Sequence, residues 1–209
     1  MTAIEFAKKH FDFIEITIQP EVLKIIDTIF ADLKSALNEI EVVGHIHWDI
    51  VDIEDILKNV EVLKKLGVKK ITLHPFKNLG IDENANIFNQ INSFLLKKEL
   101  QLLIENVSFA PFSLADSIFK IIEKVPGAKI TFDVGHANRN LELDKFISVF
   151  NGKIGHIHLH DNNGLLDHLF YEDEAKLGGA ISKIKSFGHD ECLVLDILTS
   201  FMRKLKTFA

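Results

Sequence analysis

Histidines and carboxylates recur at the ends of the short apolar segments of this chain. Eight of the ten histidines lie at or just beyond such ends, and so do Glu105, Asp133 and Asp196. The segments that carry these residues are 42–48, 71–75, 102–107, 130–138, 154–161 and 193–197. Imidazole and carboxylate groups are the side chains that bind divalent metal ions. If the segments are neighbouring strands, the residues at their ends predict a metal site.

The types of ligand narrow the choice of metal. A core set supplies three carboxylates and one imidazole: Glu105, Asp133, Asp196 and His158. This mixture suits Mn²⁺ or Mg²⁺ and also admits Co²⁺ or Zn²⁺. Further metal or substrate ligands are predicted among the histidines at comparable positions, which are His45, His47, His74, His136 and His168. A site that included them would hold more than one ion and would favour Zn²⁺.

Strand parity separates some close neighbours along the sequence. His45 and His47 share one face of a strand, and His156, His158 and His160 share one face of another. In the second group we predict His158 as the ligand, because His156 lies deeper and His160 begins the loop. Parity does not choose between His45 and His47. The histidines that are not ligands are expected to hold hydrogen bonds behind the ligands or to line the pocket.

The spacing of the apolar segments predicts the elements that position these side chains. The segments end at intervals of 25 to 38 residues, near Glu15, His45, His74, Glu105, Asp133, His158 and Asp196. A βαβ unit takes roughly 30 residues. The segments are nearly continuous in Val, Ile, Leu and Phe, which is typical of parallel strands covered on both faces. Amphipathic spacing predicts helices over 3–10, 21–39, 52–66, 82–100, 113–125, 141–150, 179–187 and 199–208.

These elements predict a single α/β domain over residues 1–209, with the architecture of a TIM-type (β/α) barrel. In such barrels the catalytic groups lie at the C-terminal ends of the strands, where the residues named above are found. The sequence shows seven strands and not eight, because it opens on a helix. Either the barrel lacks its first strand, or the opening that this strand would fill is covered in another way. An open side would favour a homodimer.

Composition limits the classes of partner. The net charge is −6 and the chain has only two arginines, so a nucleic acid partner is not favoured, since nucleic acid binding rests on neutralised phosphates. The single cysteine excludes an intrachain disulfide and fits a reducing, cytoplasmic compartment. No apolar stretch approaches the roughly 20 residues of a membrane span. The N-terminal residues lack the apolar region of a signal peptide.

Four motifs, taken in order, resemble those of the xylose isomerase-like barrel superfamily. They are His-Pro at 74–75, LIEN at 103–106, FDVGH at 132–136 and HLHDNNG…DH over 158–168. The resemblance covers the chain from about residue 3 to the C-terminus. The superfamily includes sugar isomerases and epimerases, sugar phosphate isomerase/epimerase-like proteins and endonuclease IV. Each motif alone is weak, and their order and spacing carry the resemblance.

The resemblance implies roles for the core set. Glu105, Asp133, His158 and Asp196 match the four ligands of the epimerase-type site, which holds a single metal ion. Glu105 and Asp196 also match the acid/base pair of the epimerases. The family usually has Glu where this chain has Asp196, so the last carboxylate is one methylene shorter.

The resemblance also implies roles for the other histidines. His136 matches a substrate-binding histidine of the epimerases and a ligand of an extra zinc ion in the endonuclease. His74, His168 and one of His45 and His47 match further zinc ligands of the endonuclease.

Three functions follow from these observations. The first is a metal-dependent isomerase or epimerase that acts on a sugar or sugar phosphate through an enediolate. The alternative is a zinc phosphodiesterase of the endonuclease IV type that acts on abasic DNA, which the histidines favour and the acidic charge disfavours. The third is a non-catalytic barrel that binds a metal or a sugar.

Overall fold

A computed structural model describes residues 3–162, 168, 169, 179, 181, 182, 184, 185 and 193–195 of the chain. In these residues helices alternate with strands, as predicted. The chain divides into two compact units. The first unit comprises Met1–Glu105 and Ile121–Lys129, and the second comprises Asn106–Lys120 and Ile130–Ala209.

The first unit contains α1 (Ala3–His10), β1 (Phe13–Ile18), α2 (Pro20–Ala36), β2 (Glu41–Ile46), α3 (Ile53–Lys65), β3 (Lys70–Leu73), α4 (Ile81–Leu96) and β4 (Gln101–Glu105). Its four strands pair in chain order and in parallel. His45 of β2 lies opposite Thr17 of β1 and Thr72 of β3. Thr72 lies opposite Leu103 of β4, so the C-terminal ends of β2, β3 and β4 lie at a similar level of the sheet.

The remaining elements are α5 (Ala115–Ile122), β5 (Lys129–Asp133), α6 (Val134–Arg139), α7 (Leu143–Val149), β6 (Ile154–Leu159) and β7 (Leu193–Leu195). In the second unit β5 pairs with β6, and β6 with β7, again in parallel. Asp133 at the end of β5 lies opposite His158 of β6. The strand ends of this unit therefore bring a carboxylate and an imidazole to one edge.

Aromatic packing holds α7 on the second unit. The Phe146 ring of α7 stacks on Phe132 of β5 and on Phe150, with 5.7 Å between ring centroids in each pair. All three side chains are buried. Burial of apolar area at about 25 cal/mol per Å² makes such a cluster a main source of stability. The cluster lies on β5, the strand that ends at Asp133.

Local signals explain several boundaries of the helices. Asp52 caps α3, since its Oδ1 accepts hydrogen bonds from the backbone N–H groups of Glu54 (2.9 Å) and Asp55 (3.3 Å). The helix ends before Gly67, whose φ of 97° ordinary residues rarely adopt. Pro20 occupies the first turn of α2. The limits of α3 agree with the helix predicted over 52–66, and α2 begins within one residue of the helix predicted over 21–39 but ends three residues earlier.

Helix α6 was not predicted. The segment 130–138 reads as one apolar run, but the strand stops at Asp133 and a helix follows at once. The physical reason is a side-chain cap, because Asp133 Oδ1 accepts a 2.6 Å hydrogen bond from the backbone N–H of His136. The helix predicted over 141–150 is found as α7. Glu15 also differs from its prediction, since it lies inside β1 and not at the end of that strand.

The part of the chain that the structure describes contains seven strands, and a helix precedes the first, as predicted. Residues 179, 181, 182, 184 and 185 of the helix predicted over 179–187 are helical. Asp196 and the helix predicted over 199–208 lie outside the described residues. Among those described, none of the helices combines the length and the apolar character that a membrane span requires.

Candidate metal centre

Three strand ends of the first unit converge on one carboxylate, in a group that we call the Glu105 cluster: His45, His74 and Glu105. Nε2 of His45 lies 2.9 Å from Oε2 of Glu105, and Nε2 of His74 lies 3.0 Å from the same oxygen. The Glu105 side chain is 2% exposed. The two imidazole rings meet edge to face with 4.8 Å between centroids. The ligand atoms of the three residues lie within 4.8 Å of one another, which is close enough for one metal ion.

The backbone of β2 explains why His45 points to this cluster. A Cβ on the preceding residue, Gly44, would come 2.9 Å from Cδ1 of Leu63 in α3, so the helix packs directly on the strand there. Successive side chains of a strand point to opposite faces. His45 therefore projects from the face opposite α3. His74 follows β3 directly and Glu105 is the last residue of β4, so the parallel register places the two side by side.

The proton positions of the Glu105 cluster favour a bound cation. Nδ1 of His45 lies 2.9 Å from the carbonyl oxygen of Ile46, and only an Nδ1–H can donate to that oxygen. In a neutral imidazole this leaves a lone pair on Nε2, which faces a carboxylate oxygen at 2.9 Å. Two acceptors at that distance repel unless a proton or a metal ion lies between them. The donor set therefore fits a divalent ion, with the second imidazole nitrogen held by a carbonyl as is usual for ligand histidines.

The structure distinguishes His45 from His47, which parity alone did not. His45 lies in β2 and contacts Glu105, whereas His47 follows the strand. Nδ1 of His47 accepts a 3.3 Å hydrogen bond from the backbone N–H of Asp49, which makes it part of the loop. Its ring lies 5.6 Å from that of Trp48, which is exposed. His45 is thus the member of the pair that the structure brings to a carboxylate.

A second group, the Asp133 cluster, lies in the second unit and consists of Asp133, His136, His160 and His168. Asp133 is the last residue of β5 and is fully buried. Its Oδ1 accepts the backbone N–H of His136, and Nε2 of His160 lies 3.0 Å from Oδ2 and 2.9 Å from Oδ1. The His160 ring stacks on His168 with 4.2 Å between centroids. The three imidazoles have ligand atoms within 4.8 Å of one another.

Asn106 fixes the backbone of Asp133. Its side-chain NH₂ donates to the Asp133 carbonyl at 2.9 Å, and its Oδ1 accepts the Asp133 N–H at 2.8 Å. The backbone carbonyl of Asn106 accepts a hydrogen bond from Nδ1–H of His136 at 3.0 Å, and this proton leaves a lone pair on Nε2 of His136. Asn106 therefore orients the carboxylate through its backbone and sets the tautomer of the neighbouring histidine.

The four residues of the predicted core set are found in different parts of the chain. Glu105 belongs to the first unit, and Asp133 and His158 belong to the second. Nδ1 of His158 lies 4.0 Å from Oδ2 of Asp133. Asp196 lies outside the described residues, so the complete four-ligand set stays a prediction. His136 and His168, predicted as additional ligands, lie with Asp133, and His74 lies with Glu105.

Two residues at or beside these clusters are not predicted to contact Asp133 from the sequence. Asn106 belongs to the LIEN motif and is also a candidate for phosphate recognition, although an Asn directly after a buried strand end is a candidate for backbone hydrogen bonds. His160 was placed at the start of the loop and not at a carboxylate. Its parity with His158 was the available signal, because both side chains leave the same face of one strand.

Comparison with known proteins places the chain in a family. The sequence profile of the xylose isomerase-like TIM barrel matches residues 4–199. An uncharacterized protein of Methanocaldococcus jannaschii, MJ1614, is 34% identical over 122 residues, which are 54% of this chain and 48% of that protein. The chain thus spans about half the length of the curated relative that it matches.

Solved structures of low identity share the fold. A D-tagatose 3-epimerase-like protein superposes with a TM-score of 0.72 at 18% identity, over 99% of this chain and 90% of that one. A D-allulose 3-epimerase of Methylomonas in complex with D-allulose gives a TM-score of 0.66 at 16% identity, over 91% of this chain and 75% of that one. These likenesses confirm the predicted TIM-type barrel fold. With the family profile matched over 196 of its 209 residues, the chain belongs to the xylose isomerase-like TIM barrel family.

Proposed function

We propose that this protein is an isomerase or epimerase of a sugar or sugar phosphate that depends on a divalent metal ion. The observation that carries the proposal is the Glu105 cluster, in which two imidazole nitrogens approach one buried carboxylate oxygen at 2.9 and 3.0 Å. A buried group of this kind is costly unless a cation neutralises it. The family and the epimerases of similar fold support a sugar as the substrate.

The proposed ligands of the metal are the core set: Glu105, Asp133, His158 and Asp196. His45 and His74, which contact Glu105, are proposed as additional ligands of the metal or of the substrate. When bound, a divalent ion would polarise the carbonyl oxygen and the adjacent hydroxyl oxygen of a sugar and so acidify the C–H of the hydroxyl-bearing carbon beside the carbonyl group. Within the Asp133 cluster, the cap on α6 and the hydrogen bonds of Asn106 hold the carboxylate of Asp133 in one orientation. A preorganised carboxylate loses little entropy when it binds a ligand.

Proton transfer is proposed for Glu105 and Asp196. Glu105 would take the proton from the carbon beside the carbonyl group, which leaves an enediolate, and Asp196 would return a proton on the other side. The 2% exposure of the Glu105 side chain supports this role, because a carboxylate with little hydration has little water to lose before it meets the substrate. His74, whose side chain is 25% exposed, is the member of the cluster best placed to meet a substrate from solvent.

Isotope exchange tests the proposal. In D₂O with Mn²⁺, we expect the wild-type protein to replace the hydrogen beside the carbonyl group of a ketohexose such as D-allulose or D-tagatose with deuterium, as observed by ¹H NMR. Removal of the metal with a chelator and the Glu105→Gln substitution should each abolish the exchange. Glu61→Gln, which alters a half-buried carboxylate paired with Lys98, is the matched control and should retain it. Absence of exchange across ketoses and their phosphates would refute the proposal.

A second candidate is hydrolysis of a phosphodiester with zinc. The abundance of imidazole favours it: His45 and His74 lie at Glu105, and His136, His160 and His168 lie at or near Asp133. Imidazole-rich sites favour Zn²⁺. Hydrolysis of bis(p-nitrophenyl) phosphate by the zinc-loaded protein, with loss on substitution of His74 by Ala, would support this candidate in place of the isomerase.

A further inference from the structure

We propose that His160 is a positioning residue that holds the carboxylate of Asp133 and ties it to the backbone of His168. In this role His160 donates its Nε2 proton to Asp133 and does not bind a metal ion. The inference rests on the proposed function in one respect, because it treats Asp133 as a metal ligand. The arrangement of hydrogen bonds that it describes exists without the metal.

The two ring nitrogens of His160 have different partners. Nδ1 lies 3.1 Å from the backbone nitrogen of His168, whose N–H can only donate, so Nδ1 must carry the lone pair. The proton of the neutral ring is then on Nε2, which lies 2.9 and 3.0 Å from the two carboxylate oxygens of Asp133. Nδ1 also lies 3.1 Å from the carbonyl oxygen of Asp161, but a proton on Nδ1 would displace the His168 donor.

This assignment separates His160 from the imidazoles around it. In His136 the proton is on Nδ1, which donates to the carbonyl of Asn106, and the lone pair is on Nε2. In His160 the order is reversed. An imidazole whose Nε2–H donates to a carboxylate has no lone pair there for a metal ion. The three imidazoles of the Asp133 cluster are therefore not equivalent, although their ligand atoms lie within 4.8 Å.

Gly135 makes room for the His160 ring. A Cβ built on Gly135 would overlap the Cε1, Nδ1 and Nε2 atoms of that ring, so only glycine allows the ring to lie where it does. The side chain of Asn162 donates to the carbonyl of Gly135 at 3.0 Å. The start of α6 therefore contacts the residues after β6 twice, through the His160 ring and through the side chain of Asn162.

The residues after β6 are joined to His168 by backbone contacts as well. Asp161 and Leu169 exchange two backbone hydrogen bonds, of 2.8 and 2.9 Å, in an antiparallel bridge. The His160 ring stacks on the His168 ring, with 28° between their planes. The position of His168 is therefore linked to that of the Asp133 carboxylate through one buried ring. Outer residues of this kind typically change metal affinity by about 10- to 100-fold when they are removed.

A pair of substitutions at residue 160 tests the role in metal binding. In His160→Gln the side-chain amide NH₂ can replace the Nε2–H donor to Asp133, and in His160→Leu no donor remains. We expect the leucine variant to bind Mn²⁺ or Zn²⁺ about 10-fold or more weakly than wild type by calorimetry, and the glutamine variant to recover most of that loss. A purely structural role would affect both variants alike. His10→Leu, at an exposed position in α1, is the control.

Gly135→Ala provides a second perturbation that leaves every donor in the chain. The new methyl group should displace the His160 ring and lower metal affinity as the leucine variant does. The effects of the two changes should not add when combined, because both remove the same hydrogen bond. Gly80→Ala is the matched control, since a Cβ there would meet only Oε2 of Glu83, at an ordinary 3.5 Å.

A measurement without metal completes the test. In ¹⁵N NMR spectra of the histidine-labelled, metal-free full chain, we expect the signal lost in the position-160 variants to belong to a ring with its proton on Nε2 and its lone pair on Nδ1. A ring protonated on Nδ1 would overturn the inference. A ring protonated on Nε2 would also overturn the inference if wild type and His160→Leu bound the metal with equal affinity. If wild type binds no divalent ion, the proposed function fails, and the tautomer alone then decides whether His160 holds Asp133.

Discussion

In the first unit, two imidazoles approach a single carboxylate oxygen, which belongs to Glu105. Its Oε2 receives two imidazoles, one from the end of β2 and one from the residue after β3. Nδ1–H of His45 donates to the carbonyl of Ile46, so in a neutral ring Nε2 is an acceptor. This acceptor faces the Glu105 oxygen, and a cation between the two atoms stabilises the contact. This contact fits an imidazolium–carboxylate pair as well as a bound metal ion.

Substitution of Glu105 by Gln should therefore weaken metal binding. The amide keeps the size of the side chain but removes its charge, so the affinity for Mn²⁺ or Zn²⁺ should fall by more than about 10-fold in a calorimetric titration. Glu61→Gln removes one carboxylate from a half-buried ion pair that lies outside both clusters, and it should leave the affinity unchanged. Wild-type metal content in the Glu105 variant would show that Glu105 is not a ligand.

Residue types were easier to predict from the sequence than their proton positions or partners. The carboxylates and imidazoles at strand ends follow from composition and parity. The choice between His45 and His47 does not, because both share a face and only the length of β2 and the loop bond to Asp49 distinguish them. The contact of His160 with Asp133 also depends on the space that Gly135 leaves, which no local pattern reveals.

At the scale of elements, the junction of β5 and α6 organises the second unit. Asp133 is the last residue of the strand, and its carboxylate both caps the helix and contacts His160. Asn106 holds the backbone at this junction from both sides, with an N–H and a C=O of Asp133 as its partners. A buried asparagine that satisfies two backbone groups is difficult to replace, because either group left without a partner is costly.

Asn106→Ala should accordingly destabilise the protein. Loss of both hydrogen bonds leaves a buried donor and a buried acceptor, and we expect the free energy of unfolding to fall by about 2–3 kcal/mol in a urea titration. Asn140→Ala is the control, since its side chain makes one hydrogen bond, of 2.8 Å, to the carbonyl of His136 at a less buried position. Equal losses in the two variants would contradict the role given to Asn106.

Periodicity predicted most elements because strands and helices bury different patterns of apolar residues. The limits of α1 agree with the prediction, and the cap at Asp52 fixes the start of α3. Periodicity did not predict helix α6, because its six residues are too few to show a period and Val134 continues an apolar run. Asp133, a preferred N-cap residue at the end of an apolar run, was the signal that could have found it.

For the whole molecule, charge bears on which of the two chemistries applies. Members of one fold carry out different reactions, so the family alone does not decide between a sugar and a nucleic acid. The chain has a net charge of −6 and two arginines, whereas binding of DNA requires many cationic contacts with phosphates. A small sugar makes no such demand on the surface.

We therefore expect no measurable affinity for DNA. In fluorescence anisotropy at physiological salt, a duplex that contains an abasic-site analogue should not bind at protein concentrations up to about 10 µM, which is within the usual range of non-specific binding. Tighter binding that weakens steeply with added salt would instead support the phosphodiesterase.

The metal content of the purified protein decides whether its strand-end carboxylates and imidazoles bind a divalent ion. Elemental analysis should find about one divalent ion per chain, of Mn, Co, Mg or Zn, and a chelated sample should take up one ion again on titration. Two or three zinc ions per chain would favour the phosphodiesterase over the isomerase. A protein that is purified without metal and has no affinity for any of these ions would contradict the account.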